Sequence, residues 1–174
     1  VALARAMIGS DVLAQMVTAS FISAETRYDL VGGNDGVRPT AEEYRGQGGD
    51  PAVAASTKSG LVSFEDIDEI SIVAAPGLTF GANNGYGPTA QAATENILSH
   101  VQRMRYRVAV LDSPDDQAIS QVRESRAVLD ERRAALYYPW VSILDPVSRE
   151  RMHVPPSGFV TGIYARNDIE RGVS

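Results

Sequence analysis

The chain has no cysteine, and only two of its 174 residues are histidines, His100 and His153. The absence of cysteine excludes a disulfide-stapled scaffold, a cysteine-ligated zinc site and a cysteine nucleophile. Because the two histidines lie far apart in sequence, they do not indicate a histidine-based metal cluster. No run approaches 18 consecutive apolar residues, so the sequence predicts no membrane-spanning helix.

Basic charge is also scarce, with 16 basic residues against 22 acidic ones and a formal net charge of −6. This balance argues against a dedicated nucleic-acid binder. The basic residues are 15 arginines and a single lysine, Lys58. A GC-rich genome that favours arginine codons explains this excess, and bidentate pairing between subunits is the second interpretation. A chain of this length can bury about two-thirds of its unfolded surface, which is enough for one core.

Residues 1–60 form an irregular or β lead-in with two glycine-rich turn clusters. Within it, residues 12–22 are compatible with either a strand or a helix. Between the two clusters, Thr40 and Glu43 have the spacing of a capping box and predict one helical turn. Residues 77–87 form a second glycine-rich excursion, since glycine supplies the positive φ angles that such turns need.

From residue 61 onward the pattern is regular. Apolar runs predict three strands, at residues 70–75, 107–112 and 134–144. Pro139 within the third run indicates an edge, a bulge or a strand start. Residues 89–104 have apolar positions at helical spacing and predict a helix.

Two further helices are predicted from their start signals. Ser113 as N-cap, followed by Pro114 and two acids, predicts a helix start. The buried face of that helix is expected to contain Ala118, Ile119, Val122 and Leu129. A last helix is predicted from the Pro155-Pro156-Ser157 start to about Asp168. Its small residues Gly158 and Gly162 should form a ridge in the core, where Trp140 is also expected.

The order of elements over residues 61–174 is therefore βαβαβα. Its strands are apolar on both faces, which is typical of a sheet covered by helices on both sides. Alternating strands and helices imply right-handed crossovers. The predicted class is α/β, with a mixed, mostly parallel sheet flanked by helices and with glycine-rich surface excursions.

Three features of the sequence are candidate sites. Asp112 lies at the end of the second strand, where ligands of open α/β sheets bind. It is therefore either a ligand-binding carboxylate or a cap for the turn into the next helix. The 77–87 loop lies where a phosphate loop would lie, but its spacing matches neither the dinucleotide fingerprint nor the P-loop. Ser157 lacks the glycine of a nucleophile elbow and has no obvious histidine base, which favours a helix N-cap.

For two groups of charged residues, a structural interpretation is favoured over a binding site. An acidic group favours a solvated turn over a cation site; its members are Glu65, Asp66, Asp68 and Glu69. Arg103, Arg105 and Arg107 form a basic group that resembles a nucleic-acid patch. Arg103 and Arg105 are better explained as charges at the C-terminal end of the preceding helix. The residues alone predict no catalytic, cofactor-binding or metal-binding residue. A small α/β nucleotide- or ligand-binding enzyme domain, using the 77–87 loop and Asp112, is the alternative.

Three segments in order resemble the contractile phage tail sheath family. Residues 30–36 read Leu-Val-Gly-Gly-Asn-Asp-Gly, and residues 64–77 resemble the lead into the family's first central strand. Residues 137–173 contain Tyr-Tyr-Pro-Trp-Val, Asp-Pro, Val-Pro-Pro-Ser-Gly, Gly-Ile-Tyr-Ala-Arg-Asn-Asp and Arg-Gly-Val. The resemblance covers about residues 28–173. Its signature residues are Gly32, Gly33, Asp35, Gly36, Tyr138, Pro139, Trp140, Pro155, Pro156, Ser157, Gly158, Gly162, Arg166, Asp168, Arg171 and Gly172.

The resemblance implies a structural protein rather than an enzyme, with no cofactor. Such a subunit polymerises as a six-fold helical homo-oligomer around a tail tube and contracts to drive the tube through the host envelope. The implied partners are neighbouring sheath subunits, the tail tube protein and the baseplate, with no nucleic acid and no membrane insertion. The implied location is the virion, after assembly in the host cytoplasm. A bacteriocin or another phage-tail-like particle fits the same domain.

The resemblance also implies that residues 1–174 are one conserved core domain of a longer protein. In this family the chain continues past Arg-Gly-Val into a further C-terminal domain, and extended terminal arms add strands to neighbouring sheets. We therefore expect the 174-residue chain alone to be monomeric or weakly associating.

Overall fold

A computed structural model describes residues 32–34, 36–50, 52 and 57–172. Tertiary contacts divide the chain into two units, Val1–Val37 and Arg38–Ser174, which are described separately. Residues 12–22, for which strand and helix were both compatible, lie outside the described residues. In the first unit, the Gly36 N–H donates to Asn34 Oδ1 at 2.6 Å. That the chain is a single conserved domain stays a prediction.

The second unit contains a parallel sheet and a separate hairpin. The parallel sheet has the order β1–β2–β3, and its strands are β1 (Ile72–Ala74), β2 (Val108–Asp112) and β3 (Ala134–Tyr137). The hairpin pairs two antiparallel strands, β4 (Val141–Leu144) and β5 (Arg151–Val154). The class is therefore mixed α/β, as the sequence predicts.

Among the described residues, four α-helices accompany these strands: α1 (Ala41–Arg45), α2 (Gly87–Met104), α3 (Ile119–Ala127) and α4 (Ser157–Arg171). Two 3-10 helices cover Gly60–Phe64 and Ala82–Asn84. The predicted capping box is confirmed at the start of α1, where Thr40 and Glu43 bond each other's backbone N–H. Within the described ranges, no helix is both long enough and apolar enough to cross a membrane.

Two helices cover opposite faces of β2. On one face, the core cluster combines residues of α2 and β2: Ala93, Ile97, Val101, Ala109 and Leu111. Since side chains alternate along a strand, Asp112 points to the other face. There Asp112 bonds Ser157, the first residue of α4. The sheet is therefore covered on both sides, and the carboxyl end of β2 lies beside the first turn of α4.

The predicted start of the second core helix at Ser113 is wrong. Ser113 is fully buried, and its N–H donates to the Tyr137 carbonyl at 3.1 Å, which continues the sheet ladder beyond β2. Because the chain is still extended there, α3 begins only at Ile119. Ile119 is 62% exposed and α3 has no buried residue. Of the predicted buried face, Ala118 is also exposed and Val122 is half-buried, and Leu129 packs against the core.

The third apolar run is two strands rather than one. Pro139, which follows a cis peptide bond, separates β3 from β4, because proline has no N–H to donate to a sheet ladder. After this break, β4 leaves the parallel sheet and pairs with β5, a strand that the sequence analysis missed. A hairpin therefore precedes the last helix of the predicted βαβαβα order.

The predicted glycine ridge in the core is also wrong. Gly158 and Gly162 are exposed, and a Cβ at Gly162 would meet nothing within 4 Å. α4 instead turns Ser157 and Tyr164 toward the sheet, and these residues share one face because they lie two turns apart. Trp140, also expected in the core, is half-buried.

Candidate functional site

Two parts of the 137–173 signature segment, Trp140 and Ser157, meet the chain at the carboxyl end of β2. Asp112 is 7% exposed, and its carboxylate accepts the Ser157 N–H at 2.7 Å and the Ser157 hydroxyl at 2.6 Å. The Asp112 carboxylate thus satisfies one of the N–H groups that the first turn of a helix leaves unpaired, and its negative charge suits the helix N-terminus. Ser157 itself is not an N-cap, since Pro156 holds that position.

Both Asp112 oxygens are used inside the protein. Burial raises the pKa of Asp112, while the two hydrogen bonds from Ser157 lower it and so oppose this rise. Of the two interpretations that the sequence left open, capping is the one that the geometry matches. The capped helix, however, is α4 rather than the next helix along the chain, α3.

Ser113 connects the same strand end to the Tyr-Pro-Trp segment. Its carbonyl accepts the Trp140 indole N–H at 2.9 Å and the Thr79 hydroxyl at 2.9 Å. The Trp140 ring lies 6.0 Å from that of Phe80, with the ring planes tilted by 35°. These contacts fix the entry to β4 against both the end of β2 and the 77–87 loop.

A tyrosine pair forms a third connection. The hydroxyls of Tyr137, in β3, and Tyr164, in α4, hydrogen bond to each other. This bond, together with burial, raises the pKa of Tyr137 to about 12. The last strand of the parallel sheet and the last helix are therefore joined by a hydrogen bond between two tyrosine hydroxyls.

The 77–87 loop is held from within the chain. The Arg38 guanidinium lies 3.4 Å from the centre of the Tyr86 ring and donates to the carbonyls of Gly77, Leu78 and Phe80. The Gly81 N–H donates to Asp115 Oδ1 at 2.9 Å. A phosphate loop offers free N–H groups to an anion, whereas here a carboxylate already accepts one of them.

Arg107 has a structural role that the sequence analysis missed. It is 2% exposed, and its guanidinium donates to the carbonyls of Phe64, Ile67 and Ile70 at 2.7, 2.6 and 3.1 Å. It also lies 2.7 Å from His100 Nε2. The sequence contains one indication of this role. Arg107 directly precedes an apolar strand, and a charged residue that is buried there needs hydrogen-bond partners.

His100 is fully buried on α2. Burial, with the positive charge of Arg107 as the next cause, lowers the pKa of His100. Neutral His100 accepts the Arg107 hydrogen bond at Nε2, so the ring proton is assigned to Nδ1. Histidine and arginine here join α2 to the segment that precedes β1.

The charged groups near the end of α2 divide into separate contacts. Glu65 pairs with Arg103 at 2.5 Å, and Asp66 pairs with Lys58 at 2.6 Å. Arg103 lies in the last turn of α2, and Arg105 is its C-cap residue, as predicted for a helix C-terminus. The part of the chain that the structure describes contains no group of three or more His, Asp or Glu able to hold a metal ion.

The other signature residues that the structure describes lie before α1 and in the second half of α4. Asp35 lies outside the described residues, while Gly32, Gly33 and Gly36 are exposed. Arg166 pairs with Glu170 at 2.8 Å. The Gly172 N–H donates to the Asp168 carbonyl at 3.0 Å, and Gly172 has a φ of 80° directly after Arg171. A glycine with positive φ is a common helix stop.

Two comparisons with known proteins find no relative. Scanned against protein-family models, the chain matches none of them. A search of the curated proteins also finds no match. The sheath resemblance therefore stays a prediction from the sequence segments.

Proposed function

We propose that this chain is the core of a structural subunit of a contractile tail sheath. Such a subunit polymerises with copies of itself around a tail tube, on a baseplate, and acts by changing its packing rather than by breaking bonds. Contractile phage virions and phage-tail-like particles both use this device. The proposal rests on the ordered sequence segments and on what their residues do in the fold.

The observation that carries the proposal is the convergence of signature residues at one point. Trp140 bonds the backbone of Ser113, and Ser157 bonds the side chain of Asp112. These two contacts join the start of the hairpin and the start of α4 to the end of the same strand, from which they are 27 and 45 residues distant in sequence. The signature residues at this point hold secondary-structure elements together, which is the role expected of them in an assembly protein.

Contraction of a sheath requires its subunits to reorient as rigid bodies between two arrangements of subunit contacts. Buried links between the sheet, the hairpin and α4 favour such rigidity. Exposed apolar side chains on α4 and the hairpin offer surface for contacts between subunits; they are Leu144, Val147, Met152, Phe159 and Ile163. Repeated contacts that do not close into a ring generate a helical array.

The nucleotide-binding alternative depends on the 77–87 loop and Asp112. The Gly81 N–H and both Asp112 oxygens already have partners within the chain. Binding a phosphate there would require these bonds to break, and the Asp115 carboxylate would repel the anion. No specific contact favours this alternative.

Electron microscopy of the product of the complete reading frame that encodes these residues tests the proposal. We expect hollow tubes with six-fold symmetry at high protein concentration. Discrete particles without tubes, across a range of salt and protein concentrations, would contradict it.

A thermal-shift panel on the 174-residue chain tests the alternative separately. We expect no nucleotide to raise the melting temperature, because the loop amide and Asp112 are engaged. Reproducible stabilisation by one nucleotide, increasing with its concentration, would favour the enzyme alternative. An unrelated anion such as sulfate at equal ionic strength is the control.

A further inference from the structure

One asparagine of the 77–87 loop is followed directly by glycine. The chain contains five asparagines, and only Asn84 has a glycine, Gly85, as the next residue. In such a pair the backbone nitrogen of the glycine can attack the asparagine side-chain carbonyl, because glycine has no Cβ to hinder the approach. The attack is intramolecular and therefore has the advantage of proximity. Asparagine is accordingly among the thermally labile residues of proteins.

The surroundings of Asn84 leave this reaction open. Asn84 is exposed and ends a 3-10 helix of three residues, Ala82–Asn84, which has no buried residue. The Asn84 N–H donates to the Gly81 carbonyl at 2.9 Å, but its side-chain amide has no hydrogen-bond partner among the described residues. A short exposed turn without buried contacts opens at little cost, so the ring can close in the folded protein.

The other four asparagines are placed differently, and none of them is followed by glycine. Asn83 Nδ2 donates to a backbone carbonyl at 3.3 Å, and Asn96 Nδ2 donates to another at 2.8 Å. Asn34 Oδ1 accepts a backbone N–H at 2.6 Å, and Asn167 lies inside α4. Asn84 alone combines a following glycine, an exposed turn and a free side-chain amide.

The conformation of the turn also favours glycine after Asn84. Gly85 has a φ of 94°, in the left-handed region, which glycine adopts at little cost and residues with a Cβ rarely adopt. The end of the three-residue helix therefore requires the residue type that leaves the Asn84 side chain open to attack.

We propose that Asn84 is a site of spontaneous deamidation. The Gly85 nitrogen loses its proton and bonds to Asn84 Cγ, the Cγ–Nδ2 bond breaks, and the released nitrogen takes up a proton and leaves as ammonia. Water then opens the resulting succinimide at either carbonyl, which gives aspartate or isoaspartate at position 84. The reaction needs no oxidant or reductant, and the proposal stands independently of the sheath function.

The isoaspartate product changes the backbone as well as the charge. It inserts a methylene into the main chain directly before Gly85, so the path of the chain into Tyr86 must shift. The Tyr86 ring lies 3.4 Å from the Arg38 guanidinium, which holds the carbonyls of Gly77 and Phe80. Isoaspartate therefore loosens the hold of Arg38 on the 77–87 loop.

Peptide mapping by mass spectrometry tests the site on the folded 174-residue chain, incubated at 37 °C and pH 8. Deamidation replaces NH2 by OH and raises the mass, and fragmentation separates Asn84 from Asn83. We expect the Asn84 amide to be lost at least about tenfold faster than that of Asn83. The loss should be slower at pH 6, because the attacking nitrogen must first lose its proton. Equal loss at the two positions, or no loss at Asn84 over several weeks, would overturn the proposal.

The same chain unfolded in guanidinium chloride gives the rate without structure. We expect the folded chain to deamidate at Asn84 within about tenfold of that rate, since the turn opens at little cost. Loss of the Asn84 amide only in the unfolded chain would show that the fold protects it, and would also overturn the proposal.

Asn84→Gln is the matched variant for the effect on the loop, because the longer side chain must close a larger ring and reacts more slowly. After equal incubation, the melting temperature of the wild type should fall as its isoaspartate content rises, as measured by enzymatic methylation. The Asn84→Gln chain should keep its melting temperature. An equal fall in both proteins, or no fall in a fully converted wild type, would contradict the proposed loosening of the Arg38 contacts.

Discussion

Asp112 and Ser157 lie 45 residues apart in sequence and are joined by two hydrogen bonds, of 2.7 and 2.6 Å. This pair connects the end of the central strand to the start of α4, and both residues are buried. A buried carboxylate depends on its donors, since water cannot replace them. The pair is therefore expected to contribute more to stability than a comparable pair at the surface.

Replacing Ser157 with alanine removes the donor to Asp112 Oδ2. We expect the free energy of unfolding to fall by about 1.5–3 kcal/mol, because a buried charged acceptor loses its partner. Urea denaturation measures the loss. The chain offers a matched control in Ser148, whose hydroxyl donates to Asp145 at 2.7 Å in an exposed turn. Ser148→Ala should cost less than about 0.5 kcal/mol, and equal losses would contradict the burial argument.

His100 should make the wild type lose stability in mild acid. The folded state lowers the pKa of His100 below its ordinary 6.5, so the unfolded chain binds the proton more readily. The stability difference is present above the unfolded-state pKa and is lost as pH falls through 6.5 toward the folded value. His100→Gln keeps an acceptor for Arg107 and does not titrate. Urea midpoints from pH 8 to pH 5 should fall more steeply for the wild type, and parallel curves would refute the assignment.

Arg107 should not be replaceable by lysine. Its guanidinium spans three carbonyls and His100 Nε2, and a single ammonium cannot reach all of these acceptors. We expect Arg107→Lys to lower the free energy of unfolding by about 2–4 kcal/mol. Arg123→Lys, at an exposed position on α3, is the control and should be within about 0.5 kcal/mol of the wild type. A small effect at Arg107 would show that the carbonyls find other donors.

Gly162→Ala should stabilise the protein. Gly162 lies inside α4, and a Cβ there meets nothing within 4 Å. Alanine is the better helix former, so we expect a gain of about 0.5–1 kcal/mol. At Gly46, in contrast, a Cβ would approach the Ser59 carbonyl oxygen to 1.8 Å, and φ is 78°. Gly46→Ala should destabilise strongly, and a melting temperature lowered by Gly162→Ala would mean that this position is packed.

Local features were predictable from the sequence because a few neighbouring residues decide them. The Thr40–Glu43 capping box needs only two side chains three positions apart, and both of its bonds are present. The apolar stripe of α2 was read from spacing alone, and its buried residues include Ala93, Ile97 and Val101. The alternation of strands and helices likewise predicted a mostly parallel, mixed α/β class.

The sequence-based predictions were wrong where contacts with residues distant in sequence determine the local structure. Ser113 followed by proline and acids is a strong helix start, but Tyr137 extends the sheet ladder through it and Trp140 bonds its carbonyl. Gly162 matches a packing ridge by composition, but the face of α4 that meets the sheet is fixed by Ser157 and Tyr164. No short window of sequence contains these partners.

The sequence by itself determined the class of fold, the positions of most helices and strands, and the resemblance that motivates the proposed function. It could do so because periodicity, turn residues and motif order are properties of neighbouring positions. Only the tertiary structure decided what the polar residues do: Asp112 caps α4, Arg107 holds three carbonyls, and Trp140 bonds the Ser113 backbone. The physical reason is that the energy of a buried polar group depends on partners that folding brings from tens of residues away.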